Sequence, residues 1–117
     1  MSQGNRVRRV EQLVKRIVSE KLIKDIGVYK VERVTVTDVE MSSDLRHAKI
    51  FFSILADDED DKQEIFLALK KTKSEVRYIL GQEIDLRFVP ELQFELDETA
   101  EKAARIEELI NQIREQR

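Results

Sequence analysis

Apolar residues along the chain recur first with a helical period and then with a strand period. Residues 6–25 carry them at i, i+3, i+4 and i+7, which predicts one amphipathic helix. Residues 31–42 are rich in β-branched types and alternate, but the phase shifts part-way, so we expect a β-bulge near Thr37–Asp38. Residues 46–55 alternate again after a short polar turn, and the two runs predict an antiparallel hairpin.

The second half of the chain repeats this change of period. Residues 62–80 have a helical pattern whose apolar face passes through Thr72, and Gly81 is expected to end that helix as its C′ residue. Alternation over residues 86–96 predicts a half-buried strand, in which Pro90 requires a sheet edge or a bulge because it donates no hydrogen bond. The resulting order, α–β–β–α–break–α–β–α, predicts a two-layer α+β domain.

A length of 117 residues favours a single domain over residues 1–117. We expect its core in about residues 5–97 and a C-terminal helix over residues 99–116, capped by Thr99. The chain has no cysteine, which excludes disulfides and thiolate metal sites. No apolar run approaches the roughly 20 residues that span a bilayer, and no signal-peptide core follows the N-terminus, so we expect a cytoplasmic protein.

Residues suited to catalysis are sparse. His47 is the single histidine, and the neighbouring cations Arg46 and Lys49 make it a poor proton acceptor. No GxSxG turn or glycine-rich phosphate loop occurs. The acidic residues 57–61 lack the ligand spacing of a calcium loop, and we interpret them as a solvated connector that caps the next helix. We therefore expect no enzyme activity, no metal site and no small-molecule substrate.

The net charge of −3 conceals an asymmetric distribution, because residues 1–54 hold 11 Lys/Arg and 7 Asp/Glu whereas residues 55–117 hold 10 and 17. Basic side chains form three clusters that suit phosphate contacts, which give affinity without sequence information. They are Arg6, Arg8, Arg9, Lys15 and Arg16; Lys70, Lys71, Lys73 and Arg77; and, on the predicted strands, Arg46 and Lys49, with Arg87 as an optional addition outside the candidate site. A solvated face explains the first cluster as well, except that its arginines are expected at the helix N-terminus, where cations oppose the macrodipole.

Aromatic side chains that could stack on bases are few. Phe51 and Tyr78 are the plausible exposed ones, and both could equally belong to the core. We therefore expect any RNA contact to depend on phosphates and on RNA shape more than on base stacking.

Two segments resemble one known family. The hairpin VTVTDVEMSSDLRHAKIFFSIL and the later ALKKTKSEVRYILGQEIDLRFVPELQFELDET are similar to the ribosome-binding factor A family, and the resemblance runs from about Asn5 to Ile113. It implies a type II KH-like fold of order α–β–β–α–kink–α–β. It also implies a non-catalytic protein without a cofactor that binds the small ribosomal subunit and its 16S-type rRNA precursor and assists late maturation, notably in the cold.

The chain departs from the family pattern at the kink and after the first helix. The family has an Ala-x-Gly kink, whereas the matching residues here are Thr72, Lys73 and Ser74, whose hydroxyls can bend a helix by competing for backbone carbonyls. Residues 25–27 read Asp-Ile-Gly where Asp-Pro-Arg is usual. We expect the three basic clusters to hold rRNA and the protein to be monomeric. The alternatives are a KH-like regulator of other RNAs and a protein-interaction module whose acidic half docks a basic partner.

Overall fold

The computed structural model describes residues 2–116, and the side chains of residues 2, 3, 23 and 24 lie outside that description. The helices and strands follow the predicted order. They are α1 (Ser2–Lys24), β1 (Val34–Met41), β2 (His47–Ile54), α2 (Glu59–Lys70), α3 (Lys73–Glu83), β3 (Glu91–Leu96) and α4 (Thr99–Glu115), with a short 3-10 turn at Val31–Arg33 before β1.

The sheet has the order β1-β2-β3, with β2 in the centre. Strands β1 and β2 form the predicted antiparallel hairpin, and their register shifts between Val36 and Asp38, which confirms the predicted bulge. The extra residue, Thr37, lets Val36 and Val39 both reach the buried face although three positions separate them. Strand β3 pairs with β2 in parallel, so α2 and α3 supply the crossover that a parallel pair requires.

The core lies between one face of the sheet and the helices. Strand β2 buries its alternate residues, Val14 and Val18 of α1 are almost completely buried, and the rings of Phe52 and Phe94 meet edge-on at 4.9 Å. Helices α2 and α3 contribute buried residues to the same core, among them Leu69 of α2 and Leu80 of α3. The alternate side chains of each strand lie on the opposite face of the sheet, which is partly exposed.

The break between α2 and α3 falls at Lys71–Thr72. Thr72 is buried, and both its backbone N–H (3.0 Å) and its hydroxyl (2.6 Å) donate to the carbonyl of Leu69. Lys73 and Ser74, predicted as part of the bend, are helical and form the first turn of α3. The bend is therefore one to two residues earlier than expected, because the Thr72 hydroxyl already competes for a backbone carbonyl there.

The prediction that Gly81 ends a helix is wrong. Helix α3 continues to Glu83, the N–H of Ile84 still donates to the carbonyl of Leu80, and Gly81 has no positive φ. A Cβ built on Gly81 would lie 3.0 Å from Cγ2 of Val89. Glycine here permits close packing of the following loop on the helix, and the left-handed cap is not used.

The strand predicted from residue 86 begins only at Glu91. Residues 84–90 form a loop, because the buried Pro90 has no N–H to donate to the strand ladder. The ladder therefore starts only after Pro90. The Arg77 side chain donates to the carbonyls of Pro90 and Val89, each at 3.1 Å, and so fixes the loop against α3. As a result Phe88, which alternation placed on the buried face, is 45% exposed.

Helix α4 begins at Thr99 as expected, but its cap comes from Asp97. The Asp97 carboxylate accepts from the Thr99 N–H (3.0 Å), from the Thr99 hydroxyl (2.6 Å) and from the Thr37 hydroxyl (2.7 Å). The buried ammonium of Lys62 donates to Glu98 (2.8 Å) and Glu101 (3.0 Å) and ties this end to α2. The rest of α4 is exposed, including its apolar residues Ile106, Leu109, Ile110 and Ile113.

Candidate nucleic-acid interface

A concavity of about 290 Å³ lies at the hairpin end of the sheet. Arg6 reaches it from α1, Arg46 from the turn between β1 and β2, and Arg87 and Phe88 from the loop before β3. The parallel register sets His47 opposite Glu91, so the turn and the loop that precede these two residues meet at one edge. The fold thus gathers three guanidinium groups that are 81 positions apart at their extremes.

The hairpin turn that carries Arg46 is held in place by its own polar residues. Leu45 adopts a positive φ of 62°, and the Asp44 carboxylate accepts from the Ser42 hydroxyl (2.6 Å) and from the Arg46 N–H (3.1 Å). The Ser42 hydroxyl, and then this N–H, hold the pKa of Asp44 below its usual value. Asp44 is therefore a fixed anion that lines the concavity beside the arginines.

Phe88 separates this concavity from a second one. The guanidinium carbon of Arg46 lies 4.3 Å from the centroid of the Phe88 ring, and that of Arg87 lies 5.4 Å away. Beyond the ring, the second concavity is lined by Tyr78, which is 69% exposed, and by Ser74 and Arg77. Besides holding the loop, the Arg77 guanidinium lies 3.3 Å from the Glu91 carboxylate.

A third concavity lies where the α2–α3 break approaches the edge of β3. Lys70, Lys73 and Phe66 line it opposite Gln93 and Glu95, which hydrogen-bond each other. The Lys70 ammonium lies 5.0 Å from the centroid of Phe66. The second concavity lies along α3, the third reaches α3 at Lys73, and the first shares Arg87 and Phe88 with the second. We define the basic track by nine basic and aromatic residues among those that line them: Arg6, Arg46, Arg87, Phe88, Arg77, Tyr78, Lys73, Lys70 and Phe66.

The other predicted phosphate contacts lie outside this track. Helix α1 begins at Ser2, so Arg8 and Arg9 lie beyond its first turn. The helix macrodipole acts mainly within the first turn, so it does not destabilise these two cations. Arg9 and Arg16 are exposed and two turns apart on the outer face of α1, whereas Lys15 is half-buried. The remaining cations are Lys71, exposed at the break, and Lys49 on the open face of the sheet.

Lys49 has acidic surroundings. In the strand register, Lys49 lies opposite Glu40 of β1 and opposite Gln93 of β3. The neighbouring positions on the same face of the sheet hold Asp38, Glu91 and Glu95. The structure therefore does not bring Lys49 together with Arg46, although the two are only three residues apart.

Sequence reasoning missed Phe88 as a surface residue, and half-buried Phe51 is not in the track. The signal that could have found Phe88 is Pro90, which argues against a continuous strand through residues 86–90.

The acidic connector acts as a helix cap. The Asp58 carboxylate accepts from the Asp61 N–H at 2.8 Å, and Asp61 pairs with the Lys30 ammonium at 2.9 Å. Over residues 2–116, no three carboxylate or imidazole groups gather as metal ligands. None of the helices in this range has the length and apolar character needed to cross a bilayer.

Comparisons with known proteins identify close relatives. A family model described as ribosome-binding factor A matches residues 6–110. The ribosome-binding factor A of Lacticaseibacillus casei is 40% identical over 110 residues, which cover 94% of each chain. The solution structure of a Thermotoga maritima protein named as a candidate ribosome binding factor A superimposes with a TM-score of 0.65 at 26% identity, over 76% of this chain and 84% of that one.

A second solved structure supports the fold alone. The crystal structure of ribosome-binding factor A from Thermus thermophilus superimposes with a TM-score of 0.60 at 20% identity, over 75% of this chain and 92% of that one. With the element order described above, these matches confirm the predicted α+β, KH-like fold.

Proposed function

The chain belongs to the ribosome-binding factor A family, and on that basis we propose that it is a non-catalytic assembly factor for the small ribosomal subunit. Family membership makes it a ribosome-associated factor. The finer proposal is that it binds the 16S-type rRNA precursor during late maturation, as a cytoplasmic monomer, with the greatest need in the cold.

The basic track is the observation that supports this proposal. It is formed by α1, the hairpin turn, α2, α3 and the loop before β3, so its spacing depends on the folded domain. Guanidinium and ammonium groups bind phosphate oxygens. Because this binding releases the counterions condensed on the RNA, the affinity for RNA depends steeply on salt concentration. The exposed aromatic rings between them suit unpaired bases, which RNA-binding proteins read more readily than duplexes.

Five residues outside the track enter the proposal as further phosphate contacts: Arg8, Arg9, Lys15, Arg16 and Lys71. Arg9 and Arg16 are exposed on one face of α1, so a strand of rRNA that crosses α1 could contact both. Lys49 remains a candidate, but the carboxylates around it make it the weakest of the predicted contacts.

Co-sedimentation with small ribosomal subunits in a sucrose gradient tests the proposal. We expect the wild-type chain to travel with free small subunits rather than with complete ribosomes, and to dissociate as salt is raised. The double variant Lys70→Glu/Lys73→Glu should lose most of this association at moderate salt.

The matched control makes the same charge change on α4, with Lys102→Glu/Arg114→Glu, because both residues are exposed and do not line the track. Equal loss in the two double variants would indicate a response to net charge only. Retention of the wild type by unrelated structured RNA but not by small subunits would favour a regulator of other RNAs. Capture of basic proteins with no RNA retained would favour the protein-interaction module.

A further inference from the structure

The concavity at the hairpin end combines features that phosphate binding alone does not require. It has three guanidinium groups and an aromatic ring that is 45% exposed, from three separate segments of the chain. We propose that this pocket holds one unpaired nucleotide of RNA, with its phosphate among Arg6, Arg46 and Arg87 and its base against Phe88. This inference rests on the proposed RNA-binding function and assigns it a subsite.

The arginines are available for a phosphate. In the part of the chain that the structure describes, none of their guanidinium groups forms an ion pair within 4.0 Å. The lining carboxylate, Asp44, accepts from the Ser42 hydroxyl and from the backbone N–H of Arg46, while the guanidinium of Arg46 lies over the Phe88 ring. Asp44 offsets one of the three positive charges that line the pocket, so a net excess of positive charge remains for a phosphate.

Phe88 is presented by a backbone that is already fixed. Its loop is held by the two bonds from Arg77 to the carbonyls of Val89 and Pro90 and by the close contact of Val89 with Gly81. A ring exposed on a rigid loop pays little entropy when a flat ligand stacks on it. Arg46 already lies 4.3 Å from the ring, and a guanidinium plane is a second stacking surface for a base.

The geometry favours a single nucleotide over a duplex. At about 290 Å³ the pocket is at the small end of the range for ligand sites. A base within a double helix has both faces covered by its neighbours, so only an unstacked base can reach the ring. The second concavity shares Phe88 and Arg87 and contains Tyr78, which provides a path for the next nucleotide of the strand.

Amide chemical shifts followed during titration with small probes test the subsite. We expect AMP to perturb residues 44–46 and 86–88 and to bind about fivefold or more tightly than ribose 5-phosphate, because base–aromatic stacking adds to the phosphate contact. Phe88→Leu should remove that difference while keeping the ribose 5-phosphate response, and Phe88→Tyr should restore it. Equal binding of AMP and ribose 5-phosphate by the wild type would overturn the proposal.

Fluorescence anisotropy with RNA supplies an independent readout. Phe88→Leu should weaken binding of a labelled single-stranded RNA octamer severalfold but leave binding of a blunt RNA duplex of equal charge unchanged. Equal weakening of both RNAs, or of neither, would leave Phe88 without a stacking role. A wild-type chain that fails to co-sediment with small subunits would instead contradict the proposed function, whichever way the AMP comparison falls.

Discussion

At the scale of single residues, Thr72 holds the junction between α2 and α3 by a bond that neither alanine nor glycine could make. Its buried hydroxyl donates to the Leu69 carbonyl at 2.6 Å, one turn back in α2. The Leu69 carbonyl is among the last carbonyls of α2 and also accepts from the Thr72 backbone N–H, so the hydroxyl adds a second bond to it where water has little access. The bend is therefore stabilised by a side-chain hydrogen bond, whereas a glycine at the bend would supply only backbone freedom.

Removing that hydroxyl should lower the free energy of unfolding. We expect Thr72→Val to cost about 1 kcal/mol, the typical contribution of one hydrogen bond, whereas Thr72→Ser keeps the bond and should cost less. Urea denaturation of the three proteins measures the difference. A serine variant that is less stable than the valine variant would show that Thr72 acts through packing of its methyl group instead.

Gly81 is a second residue whose role depends on one contact. In a helix, alanine is usually more stable than glycine by about 0.5–1 kcal/mol, but here the new Cβ would lie 3.0 Å from Val89. We expect Gly81→Ala to be neutral or destabilising in the wild type and stabilising in a Val89→Ala background. A double-mutant cycle by urea denaturation measures this coupling, and equal effects in both backgrounds would exclude the contact.

At the scale of elements, the hydrophobic pattern predicts most of the fold because period and phase are local properties of a sequence. The bulge at Thr37 follows directly from a change of phase within one strand. The start of β3 does not, because alternation continues through Phe88 although Pro90 ends the ladder. The parallel pairing of β2 with β3 depends on contacts between distant segments, which no local pattern contains.

Helix α4 is joined to the domain mainly by polar groups at its first turn. Lys62 is buried, and its ammonium lies within 3.1 Å of carboxylates from Glu59, Glu98 and Glu101. These carboxylates raise the pKa of Lys62, so the cation stays charged throughout the physiological range. The amphipathic pattern of α4 predicted a helix, but it did not predict that its apolar side would lie exposed.

The attachment of α4 should weaken in acid. Hydroxyl donors, first Thr99 and then Thr37, lower the pKa of Asp97, and the Lys62 ammonium lowers that of Glu98. Their stabilisation is complete above the unfolded carboxyl pKa of about 4 and is lost as the pH falls through the lower folded values. We therefore expect the urea midpoint to be nearly constant from about pH 7 to 5 and to fall below about pH 4.

Asp97→Asn provides the control for this pH dependence. The variant should be less stable at neutral pH and should lose less of its stability on acidification, since the titrating group is absent. Parallel pH curves for the variant and the wild type would show that the acid sensitivity arises elsewhere in the molecule.

At the scale of the whole molecule, charge differs between faces as well as along the chain. The basic track is formed by residues of α1, the hairpin turn, α2, α3 and the loop before β3, whereas the open face of the sheet presents Asp38, Glu40 and Glu91. Glu95 lies at the edge between the two surfaces, because it also lines the third concavity. An acidic protein of net charge −3 can thus offer phosphates a basic surface. The acidic face should also limit the orientations in which a polyanion can approach.

The sequence predicted the clusters of this surface better than their arrangement. Lys70 and Lys73 are close in sequence on successive helices and line one concavity, so spacing sufficed for them. Arg46 and Lys49 are equally close in sequence, yet the turn directs one to the hairpin-end pocket and the strand directs the other to the opposite face. Residues three positions apart lie on the same side of a helix but on opposite faces of a strand. The surface that each of these two residues reaches therefore depends on where the turn ends and the strand begins.

Two neutral substitutions with the same change in net charge test whether face or total charge controls RNA binding. We expect Lys73→Gln to weaken binding to small subunits and to reduce the slope of log affinity against log salt by about 1, as loss of one phosphate contact does. Lys49→Gln should leave both quantities nearly unchanged, because Glu40 and its neighbours already disfavour a phosphate there. Salt titrations of the two variants by co-sedimentation measure this. Equal losses would mean that the open face of the sheet also contacts RNA and that the track is not the whole interface.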